Sequence, residues 1–187
     1  MTDLKKIFEE QGDIGLYLYK HKHGDALVQA SKAELAKTPT GEYQVRVLEV
    51  QNIKVTVLKG SDQKNFVPDG RTIYLTAPAS MKDPNPEFIL DLSVSIREAE
   101  QMLLGFVLPE KDEDPQKHAD IYHSRQLDLI VNMFKIADEM KDSNNSGIFL
   151  DKLKNYGYGN LYKTYAEGVP QSELISEYIS QVQDARG

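Results

Sequence analysis

The sequence contains no cysteine. Disulfides, thiolate zinc sites, iron–sulfur clusters and cysteine nucleophiles are thereby excluded, and a reducing compartment is favoured. Long hydrophobic runs are missing too. The apolar patch from Ile14 to Tyr19 is broken by Gly15 and flanked by charge, unlike the continuous core of a secretory signal. No stretch approaches the roughly 20 apolar residues that span a bilayer. A cytoplasmic protein without a membrane partner is therefore expected. Positive charge is scarce: 22 Lys and Arg against 29 Asp and Glu leave a formal charge of −7. With no basic field to displace counterions from phosphates, nucleic acid is not an expected partner. Glycines stand singly in "KGSDQK" and "PDGR", so no phosphate-cradling loop is present, and no serine has the G-x-S-x-G context of a hydrolase. Repeats and low-complexity tracts are absent.

What is present fits one globular core. The chain has 187 residues, 40% hydrophobic and 27% charged, and reads as a single domain over 1–187. Residues 1–40 form N-terminal helices in this reading, 42–108 strands and a central helix, and 118–187 C-terminal helices. Residues 2–11 carry Leu4, Ile7 and Phe8 on one helical face. A second helix is predicted from Asp25 to Lys37, ending before the Pro39–Gly41 breaker. Val45, Val47, Val50, Ile53, Val55 and Val57 in "YQVRVLEVQNIKVTVLKG" predict one or two strands. A Pro-Asp-Gly turn precedes a further strand from Thr72 to Thr76. Pro86 and Glu87 suit the first turn of a helix, and Phe88, Leu92, Ile96, Ala99, Leu103 and Phe106 continue it as a buried stripe. A long helix from about His118 to Lys141 turns Leu127, Ile130, Phe134, Ala137 and Met140 inward. "SNNSG" breaks it, and two or three short Tyr-rich helices finish the chain. Grouped strands and helices of this order predict an α+β fold, a small sheet packed against several helices with a helical C-terminal part.

The stretch "ILDLSVSIREAEQ", residues 89–101, carries the strongest motif. Its "IREA" and closing Gln101 follow the second half of the phrase L-A-H-E-L-R-H-A-x-Q. Downstream, "SRQLDLIVNMFKIADEMK" matches S-R-x-L-E-A-D-A at Ser124, Arg125, Leu127 and Asp128, but has Leu129 and Ile130 where that pattern continues. With the strands "IKVTV" and "RTIYLTAP" ahead of the helix, the run from Val45 to Lys154 resembles bacterial zincin-like metallopeptidases. The resemblance implies a zincin-like fold in which Val94, Ser95 and Glu98 occupy the places of His, Glu and His, and Asp128 that of the third metal ligand. In a working site residues i and i+4 both reach one ion and the intervening Glu activates its water. Val94 cannot ligate and Ser95 is no general base. The resemblance thus implies a degenerate site with no metal and no cofactor, in a pseudo-metallopeptidase that acts by binding another protein. Two alternatives stay open. One is a metal-dependent hydrolase with a non-standard centre around Glu98 and Asp128, to which His118 and His123 could contribute. The other is an accessory subunit unrelated to zincins, with "IREAEQ" as ordinary helix surface.

The remaining signals are weaker. His21 and His23, between Lys20, Lys22 and Gly24, read as solvated loop residues. His118 and His123 are five apart, about 140° around a helix, and do not make one site alone. "EKDEDP", residues 110–115, lacks the spacing of a calcium loop and reads as a helix-ending loop. In "NYGYGNLYKTYAEGVP", Tyr162 is expected to pack on the core, while Tyr156 and Tyr158 are candidate interface residues. The stripe Leu174, Ile175, Tyr178, Ile179 and Val182 must be covered by the domain or by a partner.

Overall fold

A computed structural model of the chain describes residues 22–58, 65, 67–77, 85–106, 114–141 and 146–184. The predicted helix at 2–11, His21 and the acidic run 110–113 lie outside them. The described elements run α1 (Lys22–Leu35), α2 (Pro39–Val50), β1 (Lys54–Leu58), β2 (Thr72–Thr76), α3 (Pro86–Leu103), α4 (Pro115–Glu139), α5 (Ser146–Asn155), α6 (Gly159–Ala166) and α7 (Gln171–Asp184). The fold is α+β and mostly helical. Its two strands pair in parallel, Lys54 opposite Thr72 through Leu58 opposite Thr76. Among the described residues no helix is long and apolar enough to cross a membrane.

The largest departure from the sequence reading is α2. Tyr43 to Val50 is helix rather than strand, so β1 starts only at Lys54. The valines there are outweighed by the start signal ahead of them. Thr38 caps the helix, its side chain accepting from the Gly41 N–H at 3.0 Å, and Pro39 enters the first turn. Burial of Gly41, Gln44 and Leu48 then follows helical spacing. Gly41 is no breaker but a close-contact residue: a methyl group there would lie 1.9 Å from the Leu35 carbonyl oxygen. Asn52, at φ 52°, closes α2, with the Ile53 N–H donating back to the Leu48 carbonyl at 2.9 Å. His23, expected in a loop, falls in the first turn of α1.

The Pro-Asp-Gly turn is present, Asp69 Oδ1 accepting from the Arg71 and Thr72 N–H groups at 2.9 Å each to launch β2. Asn85 caps α3 through the Glu87 N–H at 2.8 Å. The α3 stripe is buried at Phe88, Leu92, Ile96 and Ala99, but it ends earlier than the spacing suggests. Gly105, at φ 78°, turns the chain, the Phe106 N–H returns to the Gln101 carbonyl at 3.1 Å, and the Phe106 side chain is 53% exposed. All five inward residues of the long helix are buried, as expected.

One apolar cluster runs from Leu27 in α1 to Tyr178 in α7. Phe134 on α4 meets Tyr162 and Tyr165 of α6, ring centres 5.4 and 5.3 Å away. Leu174 and Tyr178 of α7 are buried on it, with Ile175, Ile179 and Val182 packed alongside, so the domain itself covers that stripe. At its far end α4 is tied to the start of α2: Glu139 accepts from the Thr40 N–H at 2.9 Å and the Thr40 hydroxyl at 2.5 Å.

Candidate functional site

The polar groups concentrate along the seam between α3 and α4, with α2 on one side. Side chains four residues apart on α3 share a face, which aims both Arg97 and Gln101 at α4. Asp128 on α4 receives both. Arg97 donates to it twice, Nε to Oδ2 at 2.7 Å and Nη2 to Oδ1 at 3.1 Å, and Gln101 Nε2 donates to Oδ2 at 2.7 Å. The third guanidinium nitrogen reaches Glu100 Oε2 at 2.6 Å, and Glu100 in turn accepts from the Tyr43 hydroxyl of α2. Arg125 Nε closes the chain on Gln101 Oε1 at 3.3 Å. One turn back, Asn132 Nδ2 donates to Ser93 Oγ at 2.8 Å and Gln44 Nε2 to the Ser93 carbonyl at 3.0 Å.

Charge follows this wiring. Burial alone would raise the Asp128 carboxyl, but the hydrogen bonds from Arg97 and Gln101 outweigh it and hold the group below the ordinary aspartate range. The same bond to Asp128 holds the Arg97 proton still more firmly than usual. Glu98 shifts the other way, its carboxyl raised by burial, with Arg125 opposing only in part. Asp91 is likewise raised by burial.

The residues singled out by the resemblance are brought to the seam unequally. Asp128 sits at its centre. Val94 and Glu98 lie on the neighbouring strip of α3, both half-buried, Val94 against the core. Ser95 is buried at 4% exposure on the side of Leu92 and Ala99. The i, i+4 pair that meets Asp128 is therefore Arg97 and Gln101, three residues further on. Sequence reasoning passed over this pair as framework. Its signal was there: a cation and an amide four apart, and one acidic residue at an otherwise apolar turn of the next helix. Tyr43 and Gln44 left no comparable signal, because α2 was read as strand.

The other candidates lie elsewhere. The Tyr156 hydroxyl donates to Asp91 at 3.5 Å, and Tyr158 stands half-buried just before α6. The His123 ring packs 5.8 Å from that of Tyr178. Among the described residues no three His, Asp or Glu side chains come together as a metal ion would require. Carboxylates do meet Arg97, but its cation already holds them.

Two clefts flank the Arg97–Asp128 bond, and both residues line each of them. One, about 370 Å³, opens toward α2 beside Tyr43, Gln44 and Lys135. The other, about 520 Å³, opens toward the end of α3 beside Phe106, Ile121 and Arg125. Compared with known protein families, characterised proteins and solved structures, the chain matches none.

Proposed function

We propose that the protein is a non-catalytic binding protein, a zincin-like scaffold whose role is to hold another protein across the α3–α4 seam. One observation carries the reading: Asp128, the residue the resemblance assigns as third metal ligand, has both oxygens engaged by Arg97 and Gln101. A guanidinium stands against this carboxylate where a peptidase would need a divalent ion, and it is held by a bidentate bond. Displacing it would leave a cation stranded beside the ion. The hydrolase alternative around Glu98 and Asp128 is disfavoured by the same bond. The flanking clefts supply concave surface with mixed polar and apolar walls, which suits recognition of a polypeptide.

Chelator-stripped protein titrated with zinc should bind no equivalent tightly, and should cleave neither casein nor mixed peptide substrates. A photo-crosslinking residue at Lys135 should give a defined, saturable protein adduct in native-host extract, and the same residue at Asp25 should not. One equivalent of tightly held zinc that is lost in Asp128→Asn would overturn the reading.

A further inference from the structure

Arg125, half-buried on α4, lines the larger of the two clefts. Its Nε donates to Gln101 Oε1 at 3.3 Å, and its two outer nitrogens make no hydrogen bond or ion pair among the described residues. The other guanidinium of the seam differs, since Asp128 and Glu100 both hold Arg97. Glu98 feels the Arg125 charge without pairing with it. Water can take up the outer N–H groups, but a carboxylate meets them with two parallel bonds and offsets the charge as well. Asp120, the carboxylate on this wall that Arg97 does not engage, is exposed and accepts from Gln116 Nε2 at 2.8 Å.

Beside this cation the wall is apolar. Gly105 turns the chain and the Phe106 N–H returns to the Gln101 carbonyl, so the backbone is pinned while the Phe106 ring stands 53% exposed at the cleft. Ile121 of α4, half-buried, lines it too. A methyl group added at Gly105 would meet nothing within 4 Å, so that side is open to an approaching chain. Exposed apolar surface next to one uncompensated cation selects a ligand that carries a carboxylate and an apolar group close together. The last residue of a polypeptide carries both on one carbon atom, whereas an internal Asp or Glu must borrow the apolar group from a neighbour. A cleft of about 520 Å³ accommodates that residue and the one before it.

We propose that this cleft binds the C-terminal end of a partner protein, with the α-carboxylate on Arg125 and an apolar last side chain against Phe106 and Ile121. Ser124, exposed on the same wall, supplies a further hydroxyl donor. The partner as source rests on the binding-protein reading above; the carboxylate chemistry rests on Arg125 and its apolar surroundings.

The test is amide NMR of the full chain titrated with N-acetylalanylleucine. Saturable shifts of the Gly105, Phe106 and Ser124 signals are expected. The C-terminal amide of the same dipeptide should bind roughly tenfold more weakly, and Arg125→Gln should weaken the free acid by about the same factor. If Arg125→Gln does not fold, Phe106→Ser, at an exposed side chain, should weaken binding several-fold. No saturable shift, an equal response to the amide, or unchanged binding in either folded variant overturns the site. Free leucine or 3-methylbutanoate binding as tightly as the dipeptide would overturn the polypeptide source in favour of a small acid. Tight zinc binding would sink the functional reading while leaving these titrations intact, so the two failures are told apart.

Discussion

Asp128 accepts three hydrogen bonds, two of them from a guanidinium, so its ionisation state is felt by both helices that form the seam. Its carboxyl sits below the ordinary value of about 3.9. The folded state therefore favours the ion: that contribution is complete above the unfolded-state value and drains away as pH falls through the folded-state one. Asp128→Asn should cost about 1–2 kcal/mol at pH 7, a figure discounted because the side chain is 34% exposed, and the deficit should shrink toward pH 3. Glu98→Gln should do the reverse. Its raised carboxyl makes the charge a burden at neutral pH, so the variant should gain stability at pH 7 and lose that gain below about pH 4. Urea midpoints from pH 7 to 3 check both, and parallel pH profiles for the two variants would contradict the assignment. Asp128 itself was legible in the sequence as the residue α3 should meet. Its partners were not, because a motif match reads letters in one register, whereas the packing angle of α4 on α3 selects the face.

At the scale of elements, α2 shows two terms of different size. Removing its cap in Thr38→Ala should cost about 1 kcal/mol. Gly41→Ala should cost about 3 kcal/mol or more, since the added methyl meets backbone that has nowhere to go. Urea denaturation with an unchanged slope would measure both, and a Gly41 variant milder than the Thr38 one would refute the packing argument. This segment also marks where the sequence reading fell short. Four residues from Val45 to Ile53 favour strand in isolation, and Val45 and Val47 are only half-buried in the helix that forms. Local propensity lost to the Thr38 cap, seven residues upstream of Val45, and to the helical spacing of Gly41, Gln44 and Leu48. Long periodic elements fared better. The apolar stripes of α3 and α4 each stretch over several turns, so no single residue could mislead the reading. Only the end of α3 was overrun, because Gly105 stops a helix whose apolar spacing continues to Phe106.

For the molecule as a whole, the α+β class was readable from element order, and the parallel sense of the strand pair was not, since strand orientation depends on the path of the chain between them. The contact of Glu139 with Thr40 joins residues 99 apart in sequence. Closing so long a loop carries an entropic cost that nearer contacts avoid, so this bond should form after the folding barrier has been crossed. It then acts as a latch, slowing departure from the native state without hastening arrival. In stopped-flow kinetics Glu139→Gln should raise the unfolding rate several-fold and leave the refolding arm where it is. A slowed refolding arm would mean that the two ends meet early, and that the protein is assembled from its extremities inward.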